Sequence, residues 1–536
     1  LYVNCIEMIK DSEYRKPLLI LIAVSTIVRV LLALSLELGN DEAYYWTYAV
    51  YPDLSHFDQP PMLGWIIQLF TINLYFNSEI FIRLAAIIFG SINIWLIYII
   101  GRRLKNRLAG FYAALLYTIS PYWFIAAGTF MIPDSALSFF YLMSIFFLLE
   151  GMFSKYGLNR ESITLSRLAA IITGVLIGLA LLTKYSALFL WIGVIVYIIV
   201  MDRKLFRNPL LYLSAFISLL FLLPMLIWNI HNNFINIDLY TKSILFSEGI
   251  NVSSFLKEIA GIFLYNNPII VIIIIIAIIS YRKNKFLDSK HFVFLLSLSL
   301  PLILTYLFIS IFRVTLPHLS APGFFGLIII ASAWLADNKK EGTKLIPISL
   351  KYATGLTLIA VITGFMQIKT GFLDFDIKKE RARIGKNDVS MDMYGWKQLS
   401  NKFSKIRNSD IENGVMNKHS NIVARKWYTA AHLDYYIASP NSLYVKTIAP
   451  VKDAHKYSWI TNYMGGYKIG ESFYYFASSR EESDITATFG KYFKEIDTAS
   501  TIYITRFGKP AERFTIYRFK DLSQIPPKEL ISPFPE

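Results

Sequence analysis

Stretches such as "PIIVIIIIIAIIS" (Pro268–Ser280) and "LLYLSAFISLLFLLPMLIW" (Leu210–Trp228) leave this chain few structural choices. Apolar all round, they would precipitate as surface helices of a soluble domain. Crossing about 30 Å of hydrocarbon takes roughly 20 apolar residues in a helix. Backbone groups cannot be left unpaired in that medium, so helices are the default spanning element. Composition agrees: 55% of the 536 residues are hydrophobic and 17% are charged, against about 45–50% and about 25% in soluble domains.

The apolar runs predict eleven spans, at 17–36, 80–101, 108–128, 135–153, 166–183, 186–201, 209–228, 259–280, 291–310, 322–336 and 350–367. The segment 61–76, opened by two prolines, is too short to cross and reads as an interfacial helix. The first run is too long for a cleavable signal peptide and lacks its small-residue cleavage site; Met8 is a candidate start. Cys5 is the single cysteine, which excludes an intramolecular disulfide and a cysteine-based metal site.

Charge orients the helices. The +15 net charge first suggests nucleic acid, but its sources are loops: "RRLKNR" (102–107), Lys155 to Arg167, "DRKLFR" (202–207), "YRKNK" (281–285) and "NKKEGTK" (338–344). The alternate loops, 37–82 and 129–134, have no Lys or Arg. Basic loops stay in the cytoplasm, so the N-terminus is expected inside and everything after about 370 outside. Residues 1–369 are then a membrane domain with an outer loop at 37–79. Residues 370–536 are polar and mixed, and predict a small exoplasmic α/β domain. In it, 422–437 reads as a strand end and a helix, and 500–519 as two strands around a turn.

This orientation gathers the ionisable residues of the apolar half on the outer side: Asp41, Glu42, His56, Asp58, Arg83, Asp134, Lys184, His231, Arg313 and His318. An ionisable group at membrane depth is costly and marks a candidate functional site. Each also has a plainer reading. Asp134, after Pro133, suits a helix N-cap. Lys184 suits snorkelling to the interface. His231 ends a helix, Arg313 and His318 suit a polar loop, and Tyr44, Tyr45 and Trp46 suit an aromatic belt. Asp41 and Glu42 are harder to explain so, because adjacent carboxylates repel and the segment "ELGNDEAYYWTYAVYPDLSHFDQPPM" (Glu37–Met62) contains no cation. A general base needs a carboxylate at the mouth of a desolvated site. Asp41, Glu42, His56 and Asp58 are also compatible with a divalent cation, but their spacing matches no metal motif.

The motifs "DEAYYW" (41–46) and "FDQPPM" (57–62) resemble the outer loop of bacterial glycosyltransferases of families 39 and 83. This is the GT-C membrane clan of protein O-mannosyltransferases and the lipid A aminoarabinose transferase. The resemblance continues through "IRLAA" (82–86), "SPYWFIAAGTFMIPDSALSFF" (120–140), "GLALLTKYSAL" (178–188), "PHLSAPGF" (317–324), "YGWKQL" (394–399) and "YTAAHLDYYI" (428–437). The chain departs from the usual pattern at Ile132-Pro133-Asp134, where Thr-Pro-Asp is common, and after His318, where Trp is common.

The resemblance implies a mainly α polytopic protein of GT-C type that transfers a sugar, with inversion, from a polyprenyl-phosphate donor. The acceptor is a lipid, a glycan or a protein on the outer face of the inner membrane. Asp41 is the implied catalytic base, with Glu42 beside it. Lys184 is the first candidate for the donor phosphate, then Arg83, then Arg313. Tyr44, Tyr45, His56, Asp58, Asp134 and His318 are implied substrate contacts, and no cofactor is required. The competing reading is a transporter or flippase for a lipid-linked glycan. That class more often shows inverted repeats and midplane helix breaks; here the charges gather at one face. A scaffold anchored by its spans needs far fewer of them.

Overall fold

The structure is a computed structural model that describes residues 14–153, 160–235, 249–342, 344–375, 383–481 and 484–534. Met8, Cys5 and residues 155–159 of the Lys155–Arg167 loop lie outside the described residues. The chain divides into two compact units: residues 1–34 with 59–361, and residues 35–58 with 362–536. The division differs from the sequence boundary in two respects. The acidic segment 35–58 belongs with the C-terminal unit, and so do residues 362–369.

The first unit is helical, and each of the eleven expected spans falls on helix. Among the described residues, seven helices are long and apolar enough to cross a membrane: Arg15–Ser35, Glu79–Leu104, Pro133–Gly151, Pro209–His231, Ser289–Ser310, Pro317–Asp337 and Ile348–Thr370. Two further candidates are bent pairs, Arg107–Thr118 with Tyr122–Thr129 (80°) and Val252–Asn266 with Pro268–Ser280 (98°). The remaining two, Arg167–Leu181 and Tyr185–Met201, are shorter apolar helices. The interfacial helix is present as Met62–Phe70.

The expected straight span 259–280 is therefore broken, and the break has a local cause. Pro268 cannot donate to the helix, and Asn267 adopts a left-handed φ of 67°. Its Oδ1 caps the next helix at Ile269 N (3.1 Å), and its Nδ2 donates to Ala353 O (2.9 Å) and Ile119 O (3.4 Å). Ile119 is where the other bent pair breaks, and Thr357 Oγ1 donates to the same carbonyl. One buried amide thus serves the backbone freed at both bends, which is how non-helical backbone survives at membrane depth.

The second unit holds a five-stranded sheet in the order β2-β1-β3-β5-β4. The strands are β1 (Asn421–Ala424), β2 (Val445–Thr447), β3 (Phe473–Ser478), β4 (Phe493–Arg506) and β5 (Lys509–Leu522). β1 runs parallel to β2 and β3, whereas β3, β5 and β4 are antiparallel. The β4–β5 hairpin turns at Phe507-Gly508, both at positive φ (49° and 80°), the geometry that matches the twist of the flanking strands. The strand-then-helix and hairpin expectations are both met. Phe473, Tyr475, Phe489, Phe493 and Phe519 build the core on one face of this sheet.

The acidic segment contributes a helix, Asn40–Val50, not expected from its sequence. Residues 42–49 are all buried, so this helix has no solvent face and shows no amphipathic period. Tyr44 packs on Trp427 (4.9 Å between centroids) and Trp46 on Tyr435 (5.2 Å).

Candidate active site

In the membrane unit the geometry centres on Lys184 and Asp134. Lys184 occupies the break after Leu181, just before the helical turn Tyr185–Ala187. Asp134 is the second residue of the helix opened by Pro133, inside its first turn rather than at its N-cap. The two side chains, 10% and 3% exposed, form an ion pair at 2.7 Å. An ammonium has three donors, and this is the one hydrogen bond Lys184 makes among the described residues. Asp134 Oδ1 has no hydrogen-bond partner among them.

His318 stands within electrostatic range of both members of the pair, with its ring stacked on Tyr122 at 5.8 Å between centroids. It is held there by its neighbour: Pro317 packs against Gly261, where a Cβ would come within 2.1 Å of the proline Cγ. Arg83 is fully buried, donates to Ala33 O at 3.0 Å, and lies 5.0 Å from the Phe130 ring. Its guanidinium is thus already engaged. Arg313 is half-buried, in the segment between the Ser289–Ser310 helix and Pro317. His231 is exposed at the end of its helix, as the plainer reading has it.

Sequence reasoning missed Glu258. It falls one residue before the predicted span 259–280, yet it is 1% exposed. It accepts from Thr315 Oγ1 at 2.7 Å through Oε2, while Oε1 has no partner among the described residues. Its place inside an apolar helix is the signal that would have found it.

In the C-terminal unit the structure answers why an acidic, aromatic segment needs no cation nearby in sequence: backbone N–H groups and hydroxyls meet its carboxylates. Glu37 accepts from Trp396 N (2.7 Å), Asp53 from Leu54 N (2.7 Å), and Glu42 from Gly39 N (3.1 Å). Asp58 Oδ1 accepts from Tyr44 Oη (3.0 Å) and from Tyr48 Oη. Glu42 is buried and folds back over the start of its own helix. Asp41, one residue earlier on that helix, is exposed.

Tyr44, Tyr45 and His56 are 1%, 7% and 2% exposed. They are expected as substrate contacts, but their rings are consumed by packing inside this unit. His56 stacks on Tyr48 at 3.7 Å. Burial, reinforced by the Lys456 charge, holds its imidazole well below the ordinary range. Burial also raises the Tyr44 hydroxyl far above its usual value, and the Asp58 charge adds to this.

Lys456, a second residue sequence reasoning missed, is buried beneath the 40–50 helix. Its Nζ donates to Thr47 O (3.2 Å) and Tyr51 O (2.5 Å) and lies 4.7 Å from the Tyr48 ring centre. Burial pushes its ammonium well below the ordinary lysine range, opposed by Asp53 and Asp58. Asp434 is also buried, accepts from Tyr457 Oη at 3.0 Å, and has its carboxyl pushed up to about 7 by desolvation. Among the described residues, no group of three or more His, Cys, Asp or Glu is arranged to hold a metal ion.

Comparison with known proteins bears out the resemblance read from the sequence. Residues 58–228 match the family described as dolichyl-phosphate-mannose-protein mannosyltransferase. The chain is 24% identical over 408 residues to the lipid A galacturonosyltransferase RgtD of Rhizobium johnstonii, covering 74% of this chain and 78% of that protein. It is also similar to crystal structures of ArnT from Cupriavidus metallidurans. The apo form aligns with TM-score 0.61 at 14% identity, and the form bound to undecaprenyl phosphate with TM-score 0.62 at 15% identity. Each alignment covers 94% of this chain and 98% of ArnT. At this identity the match establishes the fold alone: a helical core like that of ArnT, with a smaller sheet domain at the C-terminus.

Proposed function

We propose that this chain is an integral-membrane glycosyltransferase that moves a sugar from a polyprenyl-phosphate donor to a lipid-linked acceptor at the outer face of the inner membrane. The observation that carries the reading is the buried Lys184–Asp134 pair. An ammonium held in a water-poor site with donors to spare suits a phosphate. The relatives point the same way: one is named for lipid A, and another was crystallised with undecaprenyl phosphate.

The chemistry follows from charge. An acceptor hydroxyl oxygen bonds to the anomeric carbon while the bond from that carbon to the phosphate oxygen breaks, and polyprenyl phosphate leaves. Negative charge grows on the leaving phosphate. A preset cation therefore binds the transition state better than the ground state, which is what lowers a barrier. Lys184 is assigned this role. Arg313, ranked last on sequence grounds, is the second cation, because the Arg83 guanidinium is tied into the helix packing. Asp41 is assigned as the base that takes the acceptor proton: it is the exposed carboxylate of its motif, whereas Glu42 closes the start of the helix. No step calls for a metal. The basic loops are assigned to the cytoplasm, which puts the C-terminal unit outside.

The test is incubation of the purified protein in detergent with a labelled polyprenyl-phosphate sugar and lipid A. Release of polyprenyl phosphate with label on the lipid supports the transferase. Bilayer crossing of intact donor without cleavage supports the transporter.

A further inference from the structure

Two buried carboxylates in the membrane unit each keep one oxygen without a hydrogen-bond partner among the described residues: Asp134 Oδ1 and Glu258 Oε1. They are 2% and 1% exposed. A buried acceptor left unmet costs the full price of its desolvation, so a fold that keeps two such oxygens in one region calls for donors from outside the chain. Geometry brings them to one region: Glu258 is hydrogen-bonded to Thr315 and Gly261 packs on Pro317, the neighbour of His318, and both His318 and Tyr306 feel the Asp134 charge. The two are not fastened alike. Asp134 spends its other oxygen on Lys184, and Glu258 spends its other oxygen on Thr315. Thr315 and Pro317 then clasp the 252–266 helix through Glu258 and Gly261, which sets His318 beside the ion pair.

We infer that Asp134 and Glu258 form a sugar-recognition subsite that takes hydroxyl donors from the transferred sugar and discriminates against sugars carrying a carboxylate. The inference rests on the glycosyltransferase reading above. The pieces complement each other: Lys184 offers donors that suit the phosphate, and the two free oxygens offer acceptors that suit the sugar beyond it. A neutral sugar presents hydroxyl hydrogens to both oxygens. Lys184 offsets the charge of Asp134, whereas Glu258 is met only by the Thr315 hydroxyl among the described residues. A uronic acid therefore brings a second uncompensated negative charge to this buried region, where like charges are penalised heavily.

The experiment uses the full chain in detergent and three probes: bare undecaprenyl phosphate, undecaprenyl phosphate carrying a neutral hexose, and the same lipid carrying a hexuronate. Affinities are measured for the wild type, Glu258→Gln and Thr315→Val. The wild type is expected to bind the neutral donor at least about tenfold more tightly than the uronate donor. Glu258→Gln keeps the shape and removes the charge. It is expected to cut that preference by about tenfold while bare undecaprenyl phosphate binds within about twofold of wild type. Thr315→Val removes a hydrogen bond but no charge, and is expected to weaken both sugar donors by the same factor. Equal binding of the two donors by the wild type overturns the inference. So does an unchanged preference in Glu258→Gln that still binds the bare lipid. Failure of all three probes to bind the wild type refutes the glycosyltransferase reading itself, and the subsite with it.

Discussion

Replacing Lys184 by Met and Asp134 by Asn, singly and together, separates what the pair does for the fold from what it does for the reaction. At 2.7 Å and an effective dielectric of 20, the gross attraction is about 6 kcal/mol. Desolvation of two nearly buried groups offsets most of it, so the pair adds little net stability. Breaking it from one side is another matter, because an uncompensated charge stays in place at a cost of about 3–5 kcal/mol. Lys184→Met strands a carboxylate and Asp134→Asn strands an ammonium. Each single variant should therefore melt well below wild type in detergent, followed by tryptophan fluorescence. The double variant should melt no lower than the worse single one, because neither charge is left. Transfer behaves differently: a double variant that recovers its melting temperature still lacks the ammonium, and its binding of bare undecaprenyl phosphate should fall by at least about tenfold, the loss of one charge-assisted contact. Strict additivity of the two melting shifts would refute the coupling. Wild-type binding of the lipid phosphate by the double variant would refute the role given to Lys184.

Other outcomes follow from single residues. Asp41→Asn should abolish transfer while leaving the melting temperature unchanged, whereas Glu42→Ala should lower the melting temperature by removing the acceptor of Gly39 N; the reverse pattern would exchange their roles. Asp434 has a folded-state carboxyl pushed up to about 7 by burial, against about 3.9 for a solvated aspartate. The folded protein therefore binds the proton more tightly, and this contribution to stability is present at low pH and is lost as pH rises from about 4 through about 7, by up to about 4 kcal/mol. Asp434→Asn should raise the melting temperature most at about pH 8, less at about pH 5, and hardly at all at about pH 3, and equal shifts at the highest and lowest pH would contradict the assignment. A Cβ at Gly128 would lie 2.4 Å from Trp123 O and 2.8 Å from Arg29 Nε. Gly128→Ala should thus cost about 1–3 kcal/mol through overpacking, visible as a lower melting temperature.

The membrane core was legible because its signal is local. A run such as Pro268–Ser280 announces a helix without help from the rest of the chain, and Pro268 even marks where the helix bends. The bend angle was not legible, because it depends on Asn267 meeting carbonyls at Ile119 and Ala353. The same limit explains the acidic segment. "DEAYYWTY" hides its helix because every side of that helix is covered, and what covers it, Trp427, Tyr435 and Lys456, lies nearly 400 residues away. Lys184 and Asp134 were each visible as a charge in apolar sequence, but their pairing across 50 residues was not. Glu258 went unseen because it falls one residue before the predicted span 259–280, outside the apolar run in which a charge draws notice. That the Tyr44, Tyr45 and His56 rings are packed inside the C-terminal unit was not legible, because sequence shows residue type, whereas burial decides whether a ring face is available.

The most direct test of the account follows the fate of the phosphate. Purified protein is given a polyprenyl-phosphate donor labelled in both lipid and sugar, with lipid A as acceptor, alongside the Asp41→Asn variant. Wild type is expected to release labelled polyprenyl phosphate and to place the sugar label on lipid A in equal amounts, with neither product from the variant. Intact donor after prolonged incubation with wild type, or equal turnover by Asp41→Asn, would contradict it.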